Sequence, residues 1–176
     1  MTAHDSLPTG LARAIVPIAT EAALIPLATI LAATLPAHAF LALDGDLGAG
    51  KTTFVKALAA AAGIDPTAVV SPTFGLVHLH PLPAGHPAER LVHADLYRLA
   101  GSDDLFELGW DELTAAPGWV AAEWAGRIAT ALPDERLDIA LEVVSEGARR
   151  ASFTGRGPAF APLLAALLAL PGVSPG

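Results

Sequence analysis

The chain has 176 residues, 53% of them hydrophobic, no cysteine, and a formal net charge of −8 from 18 acidic and ten basic side chains. That length fits one domain with a substantial core. The charge argues against an autonomous nucleic-acid binder, which carries a basic face. The lack of cysteine excludes disulfides, thiolate catalysis and cysteine-ligated zinc, in keeping with a cytoplasmic protein.

Met1 to Gly10 shows no packing pattern and reads as a loose tail on a domain spanning 1–176. Leu11 to Leu43 is strongly apolar, and Ala37-His-Ala39 resembles a signal-peptidase site. As a membrane span the stretch fails, because Pro17, Glu21, Pro26 and Pro36 interrupt it. The expected structure is an alanine-rich amphipathic helix from about Glu21 to Leu35. Thr20 would cap it, and Pro26 would delay or bend its start.

Phe40 to Asp44 reads as a core strand, followed by Gly45-Asp-Leu-Gly-Ala-Gly-Lys-Thr52. Every fixed position of the phosphate-loop pattern G-x-x-x-x-G-K-[ST] is filled. Gly45, Gly48 and Gly50 let the backbone curl so that successive N–H groups face an anion. The helix that begins near Gly50 adds its positive end, running through Thr53 to Ala62 with Gly63 as its C-cap. Lys51 can reach the outer phosphates from a solvent-filled site, and the Thr52 hydroxyl can hold magnesium. The spacing G-x-x-G-x-G does not fit the dinucleotide fingerprint.

Ser71-Pro-Thr-Phe74 makes a rigid turn with two hydroxyls, followed by a strand from Gly75 to His80 and a proline-rich loop from Pro81 to Pro87. His78 and His80 share a strand face without an evident third ligand, so they read as exposed histidines rather than a metal pair. Leu91 to Ala94 is a buried strand ending in Asp95, and Trp119 to Ala122 another ending in Glu123. Two acids that each close an apolar strand are candidates for holding magnesium and positioning a nucleophile, with the two roles not separable from pattern. Ser102 is the expected N-cap of a short acidic helix. Trp124 reads as core packing, and Tyr97 and Arg98 as structural. Leu137 to Val144 and Arg149 to Thr154 form a hairpin across Glu146-Gly147, and Pro162 to Leu170 a closing helix. The fold class is α/β: a P-loop NTPase-like three-layer sandwich with a mixed, mostly parallel sheet, helices on both faces and a C-terminal hairpin.

The motifs Gly45 to Phe54, Ser71 to Phe74, His93-Ala-Asp-Leu-Tyr-Arg-Leu99, Glu107-Leu-Gly109 and Glu123-Trp124 occur in this order. Together they resemble the TsaE (YjeE) family over roughly Thr20 to Thr154. Its members are small bacterial P-loop ATPases needed to make threonylcarbamoyladenosine in tRNA. The resemblance implies that Asp46, Leu47, Gly48, Ala49, Gly50, Lys51, Thr52 and Thr53 wrap the phosphates of ATP. It implies that Thr52 and Glu123 hold Mg2+, that Asp95 serves hydrolysis beside the attacking water, and that Glu21 lies near the adenine. Ser71 to Phe74 would act as a switch. The implied partner is a TsaD–TsaB heterodimer, with tRNA met only indirectly and no membrane involved. The chain departs from the family in the small residues before Glu123, the loop at 81–87 and the apolar final helix. A small-molecule kinase is the alternative, but the ten basic residues are scattered and form no arginine-rich lid.

Overall fold

The computed structural model describes residues 12–72 and 76–176. Its strands are β1 (Arg13–Ile18), β2 (Ala39–Asp44), β3 (Val77–Pro81), β4 (Arg90–Asp95), β5 (Trp119–Glu123), β6 (Arg136–Ser145), β7 (Ala148–Arg156) and β8 (Ser174–Pro175). The helices are α1 (Leu24–Thr34), α2 (Lys51–Ala61), α3 (Trp110–Ala115) and α4 (Ala161–Leu168). All eight strands join one sheet in the order β3-β4-β5-β2-β6-β7-β1-β8.

The four central strands, β4-β5-β2-β6, run parallel. The pairs toward both edges are antiparallel. β2 and β5 are buried on both faces, which is why Phe40 to Leu43 and Trp119 to Ala122 are continuous apolar runs rather than alternating ones. On one face, Leu41, Leu43 and Phe153 pack with Leu27 and Leu31 of α1, Phe54 and Leu58 of α2, and Leu163 and Leu167 of α4. On the other, Phe40, Ala42 and Val120 meet Trp110 of α3 and Ile128. The expected mixed α/β sandwich with a late hairpin is what forms, and its parallel part is this double-faced centre.

Several local expectations are corrected. The apolar pattern assigns no element to β1. It is a strand with alternating burial, antiparallel to β7. Pro17, which obscured it, lies beyond the two residues that β8 reaches, so the sheet accommodates it near an edge. The first helix starts later than Glu21, the delayed start that the sequence allowed, after a 3-10 turn at Glu21–Ala23; Thr20, against expectation, makes no side-chain cap. Pro26 falls in the first turn of α1, where its missing N–H costs no helical bond. Ser102 opens a 3-10 segment, and its hydroxyl meets Thr130 Oγ1 at 2.7 Å instead of capping. His80 is buried, not exposed. α4 turns Leu163, Leu164 and Leu167 into the core, which explains its apolar composition.

The Gly63 cap is as expected. Its φ is +87°, its N–H donates to Ala60 O, and Ile64 N–H donates to Ala59 O, which ends α2 in a Schellman arrangement. The parallel centre thus points the ends of β2, β4 and β5 to one rim, where Asp95 and Glu123 sit side by side in register. In an open α/β sheet that rim is the place for a ligand.

Candidate functional site

The loop from β2 to α2 is built from glycines in conformations other residues rarely adopt. Gly45, Gly48 and Gly50 have φ of +148°, +79° and +101°. Ala49 N–H donates to Asp46 O at 3.0 Å, closing the loop on itself, and Phe54 N–H donates to Gly50 O as α2 begins. The result is a curl of main-chain amides at the positive end of an eleven-residue helix.

Lys51 departs from expectation. It lines the cavity over the loop, yet it is 5% exposed. Its Nζ donates to Gly45 O at 2.6 Å and to Asp46 O at 3.0 Å, and lies 3.8 Å from the centre of the Trp124 ring. The ammonium is folded back as a brace across the loop. Burial lowers its pKa from the usual 10.5, opposed by the negative charges of Glu123, Asp95, Asp44 and Asp46. Trp124 is therefore not plain core packing. It holds a left-handed φ of +59°, and its ring stands between Lys51 and Tyr97, 4.9 Å from the latter.

The two acids reach the same cavity, of about 370 Å3, together with Leu47, Gly48, Gly50, Thr52 and Thr53. Thr52 Oγ1 donates to the Glu123 carboxylate, at 2.9 and 3.0 Å from its two oxygens. Glu123 Oε1 is also 2.7 Å from His93 Nε2, deep in the sheet. Asp95 accepts from Tyr97 N–H at 3.1 Å and from the Ser71 hydroxyl at 3.1 Å. Asp44 accepts from Gly126 N–H at 3.0 Å. Of the expected switch, Ser71 touches Asp95, while Thr73 and Phe74 lie outside the described residues.

The donor set of Thr52 and Glu123 is hard oxygen, suited to Mg2+, which binds through one or two protein oxygens with phosphate and water completing its shell. Among the described residues no three His, Cys, Asp or Glu gather as a self-sufficient metal site.

A second cavity of about 330 Å3 adjoins the first across Gly50 and Thr53. Thr20, Glu21, Leu24, Phe54, Leu141 and Arg149 line it. It is largely apolar, and Glu21 stands in its wall.

Two residues make contacts in the site that the sequence reading did not assign to them. His93 shares a strand face with Asp95 two residues on, and that alternation was the available signal. Arg149 donates from Nε to Ala49 O at 3.1 Å and from Nη2 to Gly48 O at 3.2 Å. No local pattern announces a contact made across 100 residues.

A family model described as threonylcarbamoyl adenosine biosynthesis protein TsaE matches residues 18–151. The chain is 37% identical over 121 residues to the tRNA threonylcarbamoyladenosine biosynthesis protein TsaE of Treponema pallidum, covering 69% of this chain and 85% of that one. It is 35% identical over 136 residues to the protein of the same name in Streptomyces coelicolor, covering 74% and 89%. Its fold is similar to the crystal structure of YdiB from Bacillus subtilis, with a TM-score of 0.72, 29% identity, and 90% and 95% of the two chains covered. Among the described residues no helix is long and apolar enough to cross a membrane.

Proposed function

The chain belongs to the TsaE family, and from that premise we propose that it binds and hydrolyses Mg·ATP as an accessory ATPase of tRNA threonylcarbamoyladenosine biosynthesis. It acts as one P-loop ATPase domain in the cytoplasm, where ATP and tRNA are. Its partner is a TsaD–TsaB heterodimer, and it meets tRNA only through that complex. The observation that carries the reading is the meeting of Lys51, Thr52, Asp95 and Glu123 in one cavity above the glycine loop.

Each group has a physical task. The loop from Asp46 to Thr53 receives the phosphates on its amides, apart from that of Ala49, which closes on Asp46 O. Lys51 exchanges two carbonyl acceptors for phosphate oxygens, a favourable trade because carbonyls are neutral and phosphates are charged. Thr52 and Glu123 are the magnesium ligands, and when bound the ion offsets charge on the phosphates. Asp95, held by Ser71 and the Tyr97 amide, orients the attacking water. Thr20 and Glu21 border the slot for the base. The net charge of −8 agrees with a helper protein rather than a direct tRNA binder.

Phosphate release is the test, measured for the protein alone, with candidate metabolites, and with a TsaD–TsaB pair. The reading predicts slow release alone and stimulation only by the pair. Phosphorylation of a metabolite would assign the site to a kinase instead.

A further inference from the structure

We infer that Arg149 is a positioning residue of the phosphate loop: its guanidinium fixes the peptide planes of Gly48 and Ala49, and so sets the direction of the amides that receive phosphate. The inference rests on the nucleotide reading above and assigns a determinant from outside the motif.

The glycines that let the loop curl also leave it under-determined. A Cβ placed on Gly48 or Gly50 would meet nothing within 4 Å, so no packing neighbour confines the chain at these glycines. Leu47, between the loop glycines, is 85% exposed. Arg149 supplies the missing constraint. Nε takes Ala49 O and Nη2 takes Gly48 O, two successive carbonyls on one guanidinium edge. In a trans peptide the C=O and N–H point in opposite directions. Holding Ala49 O toward the guanidinium therefore turns the Gly50 N–H away from it, toward the concave side of the loop. The Ala49 N–H already turns inward, to Asp46 O.

The other side of the guanidinium is anchored as well. Nη1 donates to Ala148 O at 3.1 Å and Ser145 O at 3.3 Å, at the end of the β6–β7 hairpin. Arg149 is thus a bracket between hairpin and loop. Lysine cannot replace it, because an ammonium on a flexible stem does not present two parallel donors to two fixed acceptors. Arg150 serves as the comparison. It points to the opposite face of β7 and is an exposed partner of Glu142, at 3.2 Å.

Arg149 also lines the slot proposed for the base, so direct contact with the nucleoside must be separated from a grip on the loop. The experiment titrates wild type, Arg149→Ala, Arg149→Lys and Arg150→Ala with Mg·ATP and with Mg·tripolyphosphate, which has no base. Melting temperatures are recorded for each variant. Two charge-assisted bonds to carbonyls correspond to a loss of about tenfold or more. Arg149→Ala and Arg149→Lys should both lose about that much for both probes, with Arg150→Ala near wild type and melting temperatures little changed. Full recovery in Arg149→Lys would reduce the role to a positive charge and overturn the inference. Unchanged tripolyphosphate binding in Arg149→Ala would overturn it too, by assigning the residue to the nucleoside. Wild-type protein that binds neither probe would overturn the nucleotide reading itself, and this inference with it.

Discussion

Gly45→Ala is the perturbation whose size the structure sets most directly. Gly45 has a φ of +148°, a region that residues with a Cβ rarely enter, at a cost of about 1–3 kcal/mol. The new Cβ would stand 2.4 Å from the backbone oxygen of Leu141 and 3.1 Å from Ala49 Cβ. The first is far inside contact distance, and its partner is β6 backbone that cannot rotate aside. Forcing such a contact costs about another 1–3 kcal/mol. In a domain of this size each kcal/mol lowers the melting temperature by about 2–4 °C. The combined 2–6 kcal/mol predicts a fall of roughly 4–24 °C. Gly48→Ala provides the internal control. It carries similar backbone strain, at φ +79°, but its Cβ meets nothing within 4 Å. It should lose only the strain, about 1–3 kcal/mol. Thermal melts of both variants by circular dichroism give the comparison. Equal melting temperatures, or a smaller fall in Gly45→Ala, would refute the claim that the loop is wedged against β6.

Two further outcomes follow from the site. Asp95→Asn should reduce turnover by about 10²-fold or more while changing ATP affinity little, because the role proposed for Asp95 is on the attacking water rather than the phosphates; a collapse of affinity in phosphate-release and binding assays would exchange the roles of Asp95 and Glu123. Burial first, then the neighbouring His93 and His78, hold the His80 pKa below its ordinary 6.5. The unfolded chain takes up this proton more readily than the folded one, so the stability that neutral His80 contributes is whole above pH 6.5 and lost as pH falls below it. Thermal melts across that range should show a shallower acid decline in His80→Leu than in wild type, and parallel declines would contradict the assignment.

How much of this was legible in the sequence depended on how local its cause is. The curled glycine loop between β2 and α2 was legible, because a chain that turns through three positive-φ positions into a helix requires glycines at fixed spacing. Asp95 and Glu123 were legible as ends of apolar strands, because a parallel sheet brings such ends to one rim. β1 was not, since its alternation over Ala14, Val16 and Ile18 is interrupted by Pro17 and followed by an alanine-rich helix. The brace made by Lys51 depends on where two carbonyls point and on the left-handed turn at Trp124, and neither leaves a pattern in residue types. Arg149 depends on the register of β7 against β6 and β1, which only the assembled sheet defines.

The central claim is that the curl of amides around Gly50 and the brace of Lys51 form a receptor for the phosphates of Mg·ATP. Calorimetric titration of wild type and Lys51→Ala with Mg·ATP tests it most directly. The account predicts one nucleotide per wild-type chain and an affinity at least about tenfold weaker in a folded Lys51→Ala. Equal affinity in the two proteins, or no binding by either, would contradict it.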